Sequence, residues 1–381
     1  MIYLIFNIQL IKMYNYWIYK DSIIFGPEFD EQLNNYVKVI KQCKKIIFLN
    51  YDDLEIYIKT NNENINKYHK KYKLSRFNHP LKNSLSNLTN LTHITFGAKF
   101  NHPLNNSLSN LNLLTHLTFG YKFNQPLENS LSNLTNLTNL TFDYNFNQPL
   151  NNSLSNLTNL TNLTFGYRFN QPLKKSLSNL TNLTHLTFCY NFNQPLNNSL
   201  SNLTNLTNLT FSNNFNQPLE NSLQNLINLT NLTFGYWFNC PLENSLSNLT
   251  NLTHLTFGSE FNQPLKNYLL NLVNLTYLEL GWYFNQSLEL PSNIKILLIN
   301  CNNLFLIENL PNSIGELHLG RSFNLELNNL PNSIKIIKFN TYSKYNKKLN
   351  NLPKFIESLE LPKHYSMPIN NINLGCKITY C

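Results

Sequence analysis

The residues able to do chemistry are sparse, and a fixed step separates them. His93 and His116, and likewise His79 and His102, are pairs 23 residues apart. A coil of that length would set two imidazoles side by side, close enough to share a metal ion. No carboxylate or thiolate recurs beside them, so the pairs read as His replacing Asn in a repetitive tract, and no metal is expected. Six cysteines (Cys43, Cys189, Cys240, Cys301, Cys376, Cys381) form no CxxC pair. That pattern points to neither a zinc site nor a disulfide framework, and it suits a reducing compartment. There is no Gly-rich phosphate loop, no GxSxG and no recurring Asp/Glu pair, so neither an enzyme nor a cofactor is expected. What remains is recognition chemistry. Tyr121, Tyr144, Tyr167, Tyr190 and Tyr236 share one register of the 23-residue step, with Lys122, Arg168 and Trp237 in the next register and Trp282 in the tyrosine register. Aromatics beside Arg are common anchors of protein interfaces. The same tyrosines would equally cover one flank of a coil and hydrogen-bond the next turn.

The elements that position these residues follow from the step itself. FN[Q/H]PL begins at Phe77, Phe100, Phe123, Phe146, Phe169, Phe192, Phe215 and Phe261, with FNCPL at Phe238 and FNQSL at Phe284. Ten copies in one register are the mark of a repeat solenoid. In the unit SLSNLTNLTNLTFDYNFNQPLEN from Ser130, Leu140 and Phe142 share a face and Thr141 points the other way. That alternation is a short strand, and the β-branched Thr suits its open side. The PLxNSLSNLTN stretch has Pro at its head and no alternation, so it reads as a 3₁₀ or helical turn with irregular chain. The predicted fold is a leucine-rich-repeat-like solenoid, with one curved parallel sheet and one short strand per 23-residue coil. On its open face, His93, His116, Asn139, Asn162, His185, Asn208, Asn231, His254 and Tyr277 would alternate with the buried Leu and Phe.

The asparagines are the most regular polar feature. Asn78, Asn101, Asn124, Asn147, Asn170, Asn193, Asn216, Asn239 and Asn262 follow the motif phenylalanines, and a second set stands in SLSN. At least one set is expected to form a ladder that satisfies backbone groups of neighbouring coils. Beyond Phe284 the pattern becomes LPxSI, at Leu290-Pro291, Leu310-Pro311, Leu330-Pro331 and, loosely, Leu352-Pro353. Upstream, IIF recurs at Ile23 and Ile46. The expected organisation is an N-terminal cap over 1–22, degenerate repeats over 23–76, regular repeats over 77–289, shorter repeats over 290–361 and a C-terminal cap or tail over 362–381. The apolar start, Ile2 to Ile11, is too short to span a bilayer and has no cationic stretch before it, so it reads as cover for an exposed edge strand.

Charge narrows the class of partner. The net charge of +9 divides as +4 over residues 1–76, +1 over 77–284 and +4 over 285–381. No basic stripe runs along the array, and short clusters such as Lys70-Lys71 with Lys73 read as solvated faces, so nucleic acid is not the expected partner. Asn-Leu-Thr triplets match a glycosylation acceptor pattern, but the repeat generates them automatically.

The FN[Q/H]PL core with its preceding LTFG resembles the FNIP repeat, a leucine-rich-repeat variant of amoebae and their giant DNA viruses, over about residues 23–361. The resemblance implies a protein-binding scaffold in the cytoplasm, which would be the host's if the chain is viral, with a host or viral protein as partner and no membrane. Many members of that family carry an N-terminal F-box and would act as substrate-recognition arms of ubiquitin ligases. Residues 1–76 read as strand-type repeats rather than an F-box. A purely structural array, or a decaying copy from a repeat-expanding family, fits the same sequence.

Overall fold

The computed structural model describes residues 16–49, 75–265, 268–370, 372–373 and 375–381. The expected edge cover Ile2–Ile11 and the Lys70-Lys71-Lys73 cluster lie outside the described residues. The chain divides into two compact units, Met1–Tyr190 and Asn191–Cys381.

In the first unit, β1 (Tyr16–Tyr19) and β2 (Ser22–Phe25) form an antiparallel hairpin in the register Tyr19↔Ser22. Its turn is Lys20-Asp21, and Lys20 takes the positive φ of 53° that tight hairpin turns require. β2 then pairs in parallel with β3 (Lys45–Phe48), and Ile23 lies opposite Ile46. Between them run a 3₁₀ turn, Leu33–Tyr36, and a single helical turn, α1 (Val37–Ile40). Five further parallel strands follow: β4 (His93–Thr95), β5 (His116–Phe119), β6 (Asn139–Phe142), β7 (Asn162–Phe165) and β8 (His185–Phe188). Their registers run His93↔His116, His116↔Asn139, Asn139↔Asn162 and Asn162↔His185, the step the sequence predicts. Leu and Phe of each strand are buried, while His or Asn and Thr face outward.

β3 pairs directly with β4 although Ile46 and Ile94 are 48 residues apart. Phe48 stacks on Phe77 at 4.3 Å, much as Phe119 stacks on Phe123 at 4.0 Å within one regular coil. Phe48 and Phe77 thus take the places that Phe119 and Phe123 hold in a regular coil. Of the segment read above as degenerate repeats, β2 and β3 carry the 23-residue step. Residues 50–74 lie outside the described residues.

Each coil closes through i→i+3 turns rather than a helix, as in Ser107 N→Leu104 O (2.9 Å), Leu111 N→Leu108 O (3.0 Å) and Leu114 N→Leu111 O (2.9 Å). The chain reverses at the residue after the PL dipeptide, which is left-handed in the five regular coils of this unit: Lys82, Asn105, Glu128, Asn151 and Lys174 have φ between 44° and 49°. Inside, Leu127, Leu131, Leu134, Leu137, Leu140, Phe142 and Phe146 of one coil are all at most 1% exposed. Identical neighbours stack on them, so every apolar layer is covered on both sides. Polar groups run in ladders along the coils. Thr138 Oγ1 donates to Thr115 O and Thr161 Oγ1 to Thr138 O, each at 3.1 Å. Asn133 Nδ2 donates to Ser109 O at 3.0 Å and Asn156 Nδ2 to Ser132 O at 3.1 Å.

The second unit repeats this construction. β9 (Asn208–Thr210), β10 (Asn231–Thr233), β11 (His254–Thr256) and β12 (Tyr277–Leu280) are parallel at the 23-residue step. β13 (Ile296–Ile299), β14 (Glu316–Leu319), β15 (Ile336–Phe339) and β16 (Ser358–Leu361) continue the sheet with the shorter coils that the LPxSI spacing predicts. A short helix, α2 (Leu304–Glu308), interrupts one of them, capped by Asn303, whose Oδ1 accepts from Leu306 N at 3.3 Å. β17 (Lys377–Tyr380) pairs in parallel with β16, so the residues read as a C-terminal cap or tail contribute one more strand.

Candidate functional site

The edge where each strand turns toward the FN motif gathers the residues that vary from coil to coil. The glycine after the strand permits a close approach of neighbouring backbones. A Cβ on Gly120 would lie 2.3 Å from Gly97 O, and one on Gly166 would lie 1.7 Å from Asp143 O. The backbone ladder then continues past the strand: Lys122 N donates to Ala98 O (2.8 Å), Asn145 N to Tyr121 O (3.0 Å) and Arg168 N to Tyr144 O (2.8 Å). Side chains borne on that ladder repeat at the spacing of the coils.

Tyr121, Tyr144, Tyr167 and Tyr190 accordingly form a continuous ring stack. Centroids are 4.5, 4.4 and 4.4 Å apart, with interplanar angles of 14°, 10° and 7°. All four are half-buried. Desolvation, then the Tyr190 and Tyr144 phenols, raise the pKa of Tyr167 above its usual 10.0, with Arg168 acting in the opposite direction. The Arg168 guanidinium lies 5.5 Å from the Tyr144 ring centroid, within cation–π range. Beside the stack, Asn101, Lys122, Asn124, Asn145 and Arg168 line an open cavity of about 350 Å³. Its lining holds two cations, three amides and no carboxylate, which favours an anionic group. Each ring face within the stack is covered by the next ring, so the stack offers its phenol edges and hydroxyls to solvent.

The other aromatic candidates belong to the second unit. Tyr236 and Trp237 meet edge to face at 4.9 Å and are 36% and 50% exposed. Trp282 and Tyr283 are 39% and 56% exposed.

The motif asparagines bond from coil to coil. Asn101 N donates to Asn78 Oδ1 (3.0 Å), Asn124 N to Asn101 Oδ1, Asn147 N to Asn124 Oδ1 and Asn170 N to Asn147 Oδ1 (each 2.9 Å). In the second unit the same bond joins Asn193 to Asn216, Asn216 to Asn239 and Asn239 to Asn262 at 2.9 Å. The next residue braces the ladder: Gln125 Nε2 reaches Asn101 Oδ1 at 3.1 Å, His102 Nε2 meets Asn78 O at 2.9 Å and Cys240 Sγ reaches Asn216 Oδ1 at 3.3 Å. Gln, His and Cys therefore serve one structural purpose at that register.

His93 and His116 stack at 4.1 Å on the open face, with Nδ1 bonded to Thr92 Oγ1 (2.8 Å) and Thr115 Oγ1 (2.9 Å). Burial first, then His116 and Lys45 for His93 and Lys45 for His116, hold both imidazoles below the usual 6.5. Among the described residues no group of three or more His, Cys, Asp or Glu side chains could hold a metal. The sequence reading missed a polar cluster on the open face of the second unit. There Tyr277 Oη donates to Glu279 Oε2 (3.2 Å), Asn300 Nδ2 donates to Glu279 Oε1 (3.4 Å), and Glu316 Oε2 meets His318 Nε2 (3.0 Å) and Lys338 Nζ (3.5 Å). Burial raises Glu279 above the usual carboxylate value and, with Glu279 beside it, pushes Tyr277 up to about 12. Reading the outward strand positions of the short coils together would have exposed this cluster.

The profile of the FNIP Repeat family matches residues 302–342, in the short-coil part of the second unit. No curated protein matches the chain in sequence. Among solved structures, an internalin of Listeria monocytogenes is 18% identical, with 84% of this chain and 87% of the internalin aligned at a TM-score of 0.59. TLR13, solved in a complex with ssRNA13, is 15% identical, with 87% of this chain and 52% of TLR13 aligned at 0.56. CroV588, described as a novel circular LRR protein, is 24% identical, with 96% and 77% aligned at 0.43. The likeness to the first two shows a leucine-rich-repeat-like fold.

Proposed function

We propose that this chain, leucine-rich-repeat-like in fold and matching the FNIP Repeat profile over residues 302–342, is a non-catalytic scaffold recognising another protein through the turn edge of its coils. The observation that carries this reading is the stack of Tyr121, Tyr144, Tyr167 and Tyr190 with Arg168 over it, on the edge whose residues change from coil to coil. Rings already held by their neighbours lose little freedom on binding, which lowers the entropic cost of an interface. The cavity beside them supplies Lys122 and Arg168 for a carboxylate of the partner. Base stacking by a single-stranded nucleic acid, which would suit the ssRNA in the TLR13 structure, needs free ring faces. Within the stack from Tyr121 to Tyr190 the inner ring faces are covered by neighbouring rings. Six free thiols favour a reducing compartment such as the cytoplasm, and no described helix is long and apolar enough to cross a membrane.

The test is a variant with Tyr144, Tyr167 and Tyr190 all changed to Ser. A partner captured by the wild-type chain is purified, and its Kd is measured against both proteins once circular dichroism shows that the variant stays folded. The expected result is a loss of about tenfold or more. Equal affinities would refute the assignment of this edge. Raising salt from 50 to 200 mM separates partner classes, because a nucleic acid held through many phosphates loses roughly 10³–10⁵ in affinity over that range.

A further inference from the structure

Where neighbouring coils all carry a ring, the rings stack; where one coil lacks it, the stack leaves a gap one ring thick. In the second unit the tyrosine register reads Tyr236, Ser259, Trp282, and the register after it reads Trp237, Glu260, Tyr283. The backbone ladder beneath them is unbroken: Trp237 N donates to Asn213 O (2.9 Å), Glu260 N to Tyr236 O (3.0 Å) and Tyr283 N to Ser259 O (3.0 Å). The coils also approach as closely as elsewhere, since a Cβ on Gly258 would lie 1.8 Å from Gly235 O and one on Gly281 would lie 2.0 Å from Gly258 O. Tyr236 and Trp282 therefore stand two rungs apart. Two rungs at the 4.4 Å ring repeat of the tyrosine stack span about 9 Å, room for one flat group, and on the first of them Trp237 meets Tyr236 edge to face at 66°. Ser259 is too short to fill it. Glu260 shares the middle rung and is bracketed by Trp237 and Tyr283, and among the described residues no ion pair neutralises it. All four rings are more than a third exposed.

We propose that this slot receives the guanidinium of an arginine side chain on a partner protein. Guanidinium is planar and matches a gap one ring thick. Its charge suits the negative faces of the flanking rings, and its fork of N–H donors can bond both oxygens of Glu260. A neutral aromatic would fill the same thickness but desolvate Glu260 without a counter-charge. A lysine ammonium would meet Glu260 but leave the ring faces poorly covered. The slot rests on the reading of the chain as a protein-recognition scaffold and names what one part of its turn edge selects.

The experiment uses the full chain with Trp17→Phe, which leaves Trp237 and Trp282 as its only indoles. Their fluorescence is followed while N-acetyl-arginine amide, N-acetyl-lysine amide or N-acetyl-tyrosine amide is added. A saturable change with the arginine compound is expected, at least about fivefold tighter than with either of the others. Glu260→Gln should weaken it about tenfold. Ser259→Tyr, which supplies the missing ring and should stack as Tyr144 does, should abolish it while the variant melts no earlier than the parent. No saturable change overturns the slot, as do equal affinities for the three compounds or indifference to both substitutions. Because the probe is a single blocked amino acid, such a failure leaves the turn-edge reading standing; the Tyr144, Tyr167 and Tyr190 variant tests that separately.

Discussion

Replacing Asn124 by Ala removes one rung of the asparagine ladder, and the cost can be worked from its partners. Asn124 Oδ1 accepts from Asn147 N at 2.9 Å and from Gln148 Nε2 at 3.2 Å. Gln148 Nε2 keeps a second acceptor, Asn124 O at 3.1 Å, so its loss is small. The half-buried Asn147 N–H has no substitute, and an orphaned donor costs about 1–3 kcal/mol. The expected destabilisation is therefore about 2 kcal/mol. Asn124→Asp keeps the accepting oxygens and should cost less than about 1 kcal/mol. Asn133→Ala is the control on the outer ladder: Asn133 Nδ2 donates to the exposed Ser109 O at 3.0 Å, water can replace it, and about 0.5 kcal/mol is expected. Urea unfolding ranks the three variants, and hydrogen exchange at the Asn147 amide shows where the loss falls, because in a solenoid neighbouring coils open semi-independently. The reasoning fails if Asn133→Ala costs as much as Asn124→Ala, or if exchange at Asn147 is unchanged in the Ala variant.

Gly166→Ala places a Cβ 1.7 Å from Asp143 O, a backbone atom that cannot swing aside, so a loss of about 2–3 kcal/mol is expected in the same urea assay. Glu128→Gly should act in the opposite sense: Glu128 is exposed with φ 45°, and relief of a left-handed side chain exceeds the added chain entropy by about 0.5–1 kcal/mol, read as a higher melting temperature. His93 and His116 are held below 6.5 when folded, so the unfolded chain binds more protons than the folded one as pH falls. Their contribution is intact above about pH 6.5 and is lost as the pH drops through that value toward the folded-state pKa values. The urea midpoint of the first unit should fall between pH 7.5 and pH 5, and the double change of His93 and His116 to Asn, the residue at Asn139 and Asn162, should shrink that fall.

The regular coils were legible because their signals are local and repeated. LTF alternation places Leu140 and Phe142 inward, and the 23-residue step alone gives the register Asn139↔Asn162 and the meeting of Tyr144 with Tyr167. Features set by coil closure or by long-range contact were not. Lys82, Asn105 and Glu128 share a left-handed backbone but no residue type, because the turn of the coil imposes that conformation rather than any local preference. The direct pairing of β3 with β4 was hidden because it joins residues 48 apart, and the stacking of Phe48 on Phe77 has no local signature. β17 lacks the repeat motif and is identified by its pairing with β16. Glu316 and His318 stand two apart on β14, but Glu279 and Lys338 lie on β12 and β15, and only the register of those strands brings the four together.

The atoms that make each inter-coil bond explain which registers vary. At Asn78, Asn101, Asn124 and Asn147 the side-chain oxygen is the acceptor for the next coil, so changing the residue breaks the bond, and the register stays Asn. Two positions earlier, the bond runs between backbone atoms: Lys122 N to Ala98 O, Asn145 N to Tyr121 O, Trp237 N to Asn213 O and Glu260 N to Tyr236 O. It forms whether the acceptor residue is Ala, Tyr or Asn. The side chains of that register can therefore change at little cost to the stack, provided the glycine or small residue before them keeps the coils close. A solenoid built in this way can alter what its turn edge recognises without altering how it folds, and the same logic makes Ser259 a vacancy in a row of rings rather than a defect in the coil beneath it.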